Sequence, residues 1–360
     1  MLKGIKIIGL GGAIPTKTVT NDALGEIMDT SDAWIYPRTG IHERRFCSEN
    51  ESALTLAIEA GRKAISDAGI RRENIGAVVV ASMSPDLATP SMSAIIQREL
   101  ELPLVPALDL NAACSGFIYA LEVARGLLSA DISGDVYNDT CIDVSKTPKE
   151  KYALVIGTEQ LSRLISMEDR STAILFGDGA GAAVVALEET DTGKTSVRYA
   201  TENKSDSTYV SILGSKGSGV IEAPSVYERA YENGCRRKTD AEKIDHMLMD
   251  GKDVFVFACD VIPRIINSLL RKTGLSLEDI NHVVCHQANA RIIRHVIRAM
   301  HAPEEKFFMN MEKLGNVSAA SIPIALYDMK CKGLMSEGDR MILAGFGGGL
   351  TWGGCIISYK

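Results

Sequence analysis

The chain has 360 residues, 46% of them hydrophobic, enough for two or three domains or one large composite core. A net charge of −7 argues against a general nucleic-acid binder. The opening MLKGIKIIGLGG lacks the apolar region and cleavage site of a secretory signal, and no run is long enough to span a membrane. A cytoplasmic protein is therefore expected, with its eight cysteines mostly as thiols. With no C-x-x-C pair and no H-E-x-x-H motif, no metal site is expected.

The first strand runs into GLGGAI (9–14), where the third glycine of a G-x-G-x-x-G loop would fall on Ile14, so no dinucleotide site is read there. Trp34, one of two tryptophans, reads on its own as a half-buried core aromatic. The helical pattern ALTLAIEAGRKAISDAG ends at Gly69, suited to a left-handed cap, and the β-branched run AVVVAS follows. In DLNAACSGFIYAL, Cys114 lies between small residues at a strand-to-helix junction. A thiol there can be a small buried hydrophobe. It can also feel the positive end of the helix dipole, which lowers its pKa. The polar segment 130–151, which includes Cys141, reads as a surface insertion. FGDGAGAAVVA (176–186) leads into a strand, and its small residues suit tight packing.

The chain then repeats itself. At a constant offset of 205 residues, AGIRRENIGAVVVAS falls on TGLSLEDINHVVCHQ and NAACSGFIYAL falls on NVSAASIPIAL. The boundary is expected near residue 205, giving halves 1–205 and 206–360. Alternating strands and helices in each copy predict parallel-rich sheets covered by helices, in a pseudo-twofold α/β sandwich. Active residues from the two halves are then expected to meet at loops after the carboxyl ends of strands. Three junctions stand out: Cys114, His286 after HVVC, and Asn316 in LGNVSAAS. Gly-Asn is also ordinary turn chemistry. Three consecutive glycines, 347–349, let backbone N–H groups approach a ligand, as an oxyanion hole requires. RIIRHVIRAM reads as an amphipathic helix with Arg291, Arg294 and Arg298 on its polar side.

AACSGF, HQANARII, LGNVSAAS and FGGGLTWG, in that order, closely resemble the β-ketoacyl-[acyl-carrier-protein] synthase III family of the thiolase superfamily. TSDAWIYPRTGIHERR and GDGAGA extend the resemblance over nearly the whole chain. It implies a thiolase-like five-layered α-β-α-β-α sandwich, a homodimer, and a condensation that starts fatty-acid chains without a cofactor. Cys114 would take an acyl group from acyl-coenzyme A; His286 and Asn316 would promote decarboxylation of malonyl-carrier protein. The N–H groups of Cys114 and Gly348 would form the oxyanion hole, and Phe346 would line the decarboxylation site. Trp34, Arg38 and Arg170 would grip the coenzyme's adenine, and Asn289 would line the pantetheine tunnel. Arg291, with Arg294 and Arg298, would dock the acidic carrier protein. Thr89 would reach the floor of the partner's acyl tunnel, where its small size hints at longer or branched primers. The alternative is a relative that moves an acyl group to another acceptor in secondary metabolism.

Overall fold

The computed structural model describes residues 3–130, 152–188, 209–224 and 246–360. The expected insertion beyond Ala130 and the expected boundary at 205/206 lie outside the described residues. The first half runs β1 (Ile5–Ala13), β2 (Lys17–Thr20), α1 (Asn21–Gly25), α2 (Asp32–Thr39), β3 (Glu43–Phe46), α3 (Ala53–Ala68), β4 (Ile75–Ala81), α4 (Met92–Glu99), β5 (Ala107–Leu110), α5 (Gly116–Ser129), β6 (Tyr152–Gln160), α6 (Arg170–Ala173) and β7 (Asp178–Leu187). The second half follows with β8 (Val210–Ser215), β9 (Ile221–Glu222), β10 (Leu248–Met249), α7 (Gly251–Thr273) and β11 (His282–Cys285). It ends with α8 (Ala290–Met300), α9 (Met311–Leu314), α10 (Ser321–Cys331), β12 (Arg340–Gly347) and β13 (Thr351–Tyr359).

Local chemistry sets the helix ends. Ser52 and Thr55 form a capping box at the start of α3, and Gly69 closes it in the left-handed region at φ 65°. Asp250 caps α7 and Gly274 closes it at φ 69°. α7 carries Pro263 in its interior.

In the first half the strand order is β5-β4-β6-β7-β1. β4 pairs parallel with β5 and β6, and β7 pairs antiparallel with β6 and β1. The second half repeats the pattern: β11 and β12 are parallel, while β13 is antiparallel to β12 and β8. Where β5 has its counterpart, a single parallel bridge joins Val283 and Phe307. The halves join where β1 lies parallel to β13 at Lys6–Ser358 and Ile7–Tyr359. Two 3₁₀ turns, Ala113–Ser115 and Ser318–Ala320, also sit 205 residues apart, each opening the next helix.

Period-two alternation separates the layers. Val78 and Val80 of β4 pack outward with α3 and α4. Val79 and Ala81 point inward to a central core that holds Phe117 and Leu121 of α5 and Ile322 and Leu326 of α10. From the other side Val284, Leu343 and Ile357 join that central core, while Val283, Ile342 and Ile356 face α7 and α8. The order is helices, sheet, central helices, sheet, helices: a five-layered thiolase-like sandwich with an internal duplication. Both glycine runs serve packing. A Cβ on Gly11 would lie 2.1 Å from the Ala60 carbonyl of α3, and one on Gly181 would lie 2.5 Å from the Ile324 amide of α10.

Candidate active site

The central layer brings the two 3₁₀ turns face to face. A Cβ on Gly157 would come within 2.3 Å of the Ala319 carbonyl, and one on Gly116 within 3.3 Å of Ala319. Only hydrogen at these positions permits the approach. Each turn starts with a non-glycine residue in the left-handed region, Ala113 and Ser318, both at φ 45°. Each is held by an asparagine two residues earlier. Asn111 Oδ1 accepts from the Ala113 N–H at 3.0 Å, and Asn316 Oδ1 accepts from the Ser318 N–H at 2.9 Å.

Cys114 sits in the first turn, immediately before α5, and is 8% exposed. The sequence predicted a thiol pKa lowered by the helix end, and the site corrects this. Burial pushes the Cys114 thiol up to about 12; the Ser318 hydroxyl opposes the shift and the Glu159 carboxyl adds to it. That shift disfavours the thiolate by about 4 kcal/mol. A helix end contributes roughly 0.3–1 kcal/mol, at most ~2. Desolvation wins, and the resting sulfur is a thiol.

His286 follows β11 and is 1% exposed. Its Nδ1 lies 2.6 Å from Ser321 Oγ, and its ring meets Phe346 edge-to-face with centroids 5.3 Å apart. Burial pulls its pKa down to about 3, so the imidazole is neutral. Its Nε2 is buried and has no hydrogen-bond partner among the described residues. His282 stands four residues away, but an extended strand separates such positions by about 13 Å, and His282 pairs instead with Asp339.

Asn316 is clamped through its backbone: its N–H donates to the Leu175 carbonyl and its own carbonyl accepts from the Gly177 N–H. A Cβ on Gly177 would lie 2.4 Å from the Leu314 carbonyl, which explains the first glycine of GDGAGA. With Oδ1 taken by Ser318, the amide end that remains is Nδ2.

The glycine loop joins β12 to β13 and closes over Cys114. A Cβ on Gly347 would meet the Cys114 amide nitrogen at 2.5 Å. Thr351 Oγ1 lies 2.9 Å from the Ala112 carbonyl and 3.1 Å from the Gly348 carbonyl, and the Ser115 hydroxyl reaches it at 2.6 Å. Thr351 thus pins Gly348 to the nucleophile's turn.

The remaining candidates lie outward. Trp34 is half-buried against Leu24, Ile35 and Ile174, as expected, and the guanidiniums of Arg38 and Arg170 also stand 4.5 and 4.4 Å from its ring centroid. Asn289 caps α8 by accepting from the Arg291 N–H, and its Nδ2 donates to the Arg38 carbonyl at 3.1 Å. Arg291, Arg294 and Arg298 are exposed along α8, over buried Ile292, Ile293, Val296 and Ile297. Thr89 is exposed in the loop between β4 and α4. Sequence reasoning missed Glu159, Ser318, Ser321 and Thr351, which hold the reactive side chains.

The family model for the 3-oxoacyl-[acyl-carrier-protein (ACP)] synthase III C terminal matches residues 270–359, and that for 3-oxoacyl-[acyl-carrier-protein (ACP)] synthase III matches residues 140–204. The chain is 40% identical over 356 residues to the β-ketoacyl-[acyl-carrier-protein] synthase III of Clostridium perfringens, covering 99% of both chains. The crystal structure of 3-oxoacyl-[acyl-carrier-protein] synthase III from Aquifex aeolicus is similar with a TM-score of 0.78 and 35% identity, over 99% of this chain and 100% of that one. The priming β-ketosynthase of the R1128 polyketide pathway is similar at 0.81 and 29%, over 99% and 97%. Among the described residues no helix is long and apolar enough to cross a membrane. Matched from end to end by such relatives, the chain belongs to the β-ketoacyl-[acyl-carrier-protein] synthase III family of thiolase-fold condensing acyltransferases.

Proposed function

We propose that Cys114 takes an acyl group from acyl-coenzyme A, and that its thioester is then attacked by the carbanion formed when malonyl-carrier protein loses carbon dioxide. A single turn carries this reading. The Cys114 side chain lies beside the Ser318 hydroxyl, Asn316 Oδ1 accepts from the Ser318 N–H, and His286 Nδ1 is bonded to Ser321 Oγ. A nucleophile and two neutral polar side chains on one turn suit a reaction in which charge develops on carbonyl oxygens.

Decarboxylation leaves its electron pair on the α-carbon, so no strong base is required. The developing enolate oxygen needs donors, which Asn316 Nδ2 supplies together with His286. The Ser321 hydroxyl also reaches the Ser318 carbonyl at 2.8 Å; when it turns its proton to Nδ1 instead, the ring proton lies on Nε2, the end that has no other partner among the described residues. Phe346 gives the departing carbon dioxide an apolar wall. The carbanion attacks the Cys114 thioester, whose oxyanion is held by the N–H groups of Cys114 and Gly348, and the C–S bond to Cys114 breaks. No resident cofactor enters.

A purine reaching Trp34 takes the place of one guanidinium, so Arg38 and Arg170 switch from the indole to the nucleotide and its phosphates. Asn289 ties α8 to the Arg38 carbonyl and so fixes the tunnel mouth. In a homodimer the exposed Thr89 closes the acyl tunnel of the second copy. The exposed basic stripe on α8 receives the acidic carrier protein. Arg291→Glu is expected to lower turnover with malonyl-carrier protein about tenfold while self-acylation by acyl-coenzyme A stays near wild type. Equal loss of both half-reactions, measured by intact mass, removes Arg291 from docking.

The function is tested by intact-mass analysis with a panel of acyl-coenzyme A thioesters, followed by malonyl-carrier protein. The expected result is an acyl adduct on the chain, then a 3-oxoacyl-carrier with release of carbon dioxide. Transfer of the acyl group to an oxygen or nitrogen acceptor without that release overturns it.

A further inference from the structure

Glu159, near the end of β6, is fully buried, and no basic side chain among the described residues pairs with it. Its carboxyl accepts from Ser84 Oγ at 2.6 Å, Ser82 Oγ at 3.2 Å, and the Met83 and Ala319 N–H groups at 3.2 and 3.4 Å. The Ser318 hydroxyl, which donates to Met83 Sδ at 3.6 Å, lies beside this carboxyl and beside the Cys114 side chain. His286 Nε2 is hydrogen-bonded to neither. A buried carboxyl held only by neutral donors is an expensive arrangement for packing alone. A serine hydroxyl between a thiol and a carboxyl can accept one proton while giving up another.

Resting on the reading of Cys114 as the acylated nucleophile, we propose that Ser318 and Glu159 form a proton relay that activates its thiol. As Sγ attacks the thioester carbonyl, the thiol proton passes to Ser318 Oγ and the proton of Ser318 passes to the Glu159 carboxylate. The new S–C bond forms, the bond to coenzyme A breaks, and coenzyme A leaves as a thiolate that takes a proton from water. When the carbanion later displaces Cys114, the thiolate recovers its proton from Glu159 through Ser318. Nothing is oxidised or reduced, and each cycle consumes one proton.

Burial raises the Glu159 carboxyl to about 7 while it lowers His286 to about 3, so Glu159 is the stronger acceptor. The groups facing it are Ser82, Met83 and Ser84 after β4, Cys114 before α5, and Ser318 and Ala319 before α10; Gly179 lies opposite it on β7. The adjoining charges are Arg163, which donates to the Ser84 carbonyl, and its ion-pair partner Asp86.

Glu159→Gln preserves shape and most hydrogen bonds but cannot take the proton. Single-turnover acylation by acyl-coenzyme A, followed by intact mass across pH, is expected to slow about 10²-fold. The wild-type rate should fall as pH drops through about 7, and the glutamine variant should lose that inflection. Ser318→Ala should give the same loss even if the glutamine variant fails to fold. A folded Glu159→Gln or Ser318→Ala protein that acylates within threefold of wild type, with the inflection intact, overturns the relay. If wild type itself accepts no acyl group, the functional reading has failed instead.

Discussion

Cys114→Ala is expected to leave a folded protein that no acyl-coenzyme A thioester labels. The substitution keeps the Cβ against which Gly347 packs and removes only the sulfur. Condensation should fall by at least ~10³-fold, because the covalent intermediate has no other seat. Cys285 and Cys355 are no substitutes: both are fully buried, and burial pushes the Cys285 thiol up to about 12 and Cys355 higher. Malonyl-carrier protein should still lose carbon dioxide slowly, since His286 and Asn316 are untouched, and accumulate as the acetyl form. An acyl adduct of wild-type yield on the alanine variant would place the nucleophile elsewhere.

The second large effect separates two duties of one side chain. Asn316→Asp retains the Oδ1 that accepts from Ser318 N–H, and with it the turn, but replaces the Nδ2 donor by an oxygen. Condensation is expected to drop roughly 10²–10³-fold, the range for losing one oxyanion donor, while acylation of Cys114 persists. Asn111 provides the control because it makes the same turn bond to the Ala113 N–H and is exposed. Asn111→Asp should leave both half-reactions near wild type. Parallel losses in the two variants, read by separate acylation and decarboxylation assays, would mean that Asn316 serves the turn alone.

That pair shows how far the sequence could be read. Gly69 and Gly274, the two β-branched runs and the NAACSGF/NVSAASI register disclosed the duplication, because caps and strand cores are local and leave local marks. Turn chemistry and reaction chemistry both place an asparagine at 316, and the residue type alone does not divide them. Ser318 and Ser321 look like small spacers in NVSAASIP; the groups they meet lie after β4, on β6 and after β11. Glu159 had a faint signal, a lone acid ending the apolar strand YALVIGTEQ. The direction of the thiol's shift was read from the helix start, which is local. Its burial depends on Gly347 and on the opposite half, which are not. The stacked guanidiniums at Trp34 were hidden for the same reason, since Arg170 comes from a distant segment.

The bond between Ser115 and Thr351 spans 236 residues of chain, and it has a bearing on biogenesis. During synthesis the segment carrying Cys114 leaves the ribosome long before β12 and β13 exist to cover it. Until those strands dock, the sulfur lacks the dry surroundings that hold its proton, and it is an ordinary solvated thiol open to oxidants and electrophiles. Completion of the second half therefore does two things in one event: it shields the nascent cysteine from damage and assembles the partners that make it useful.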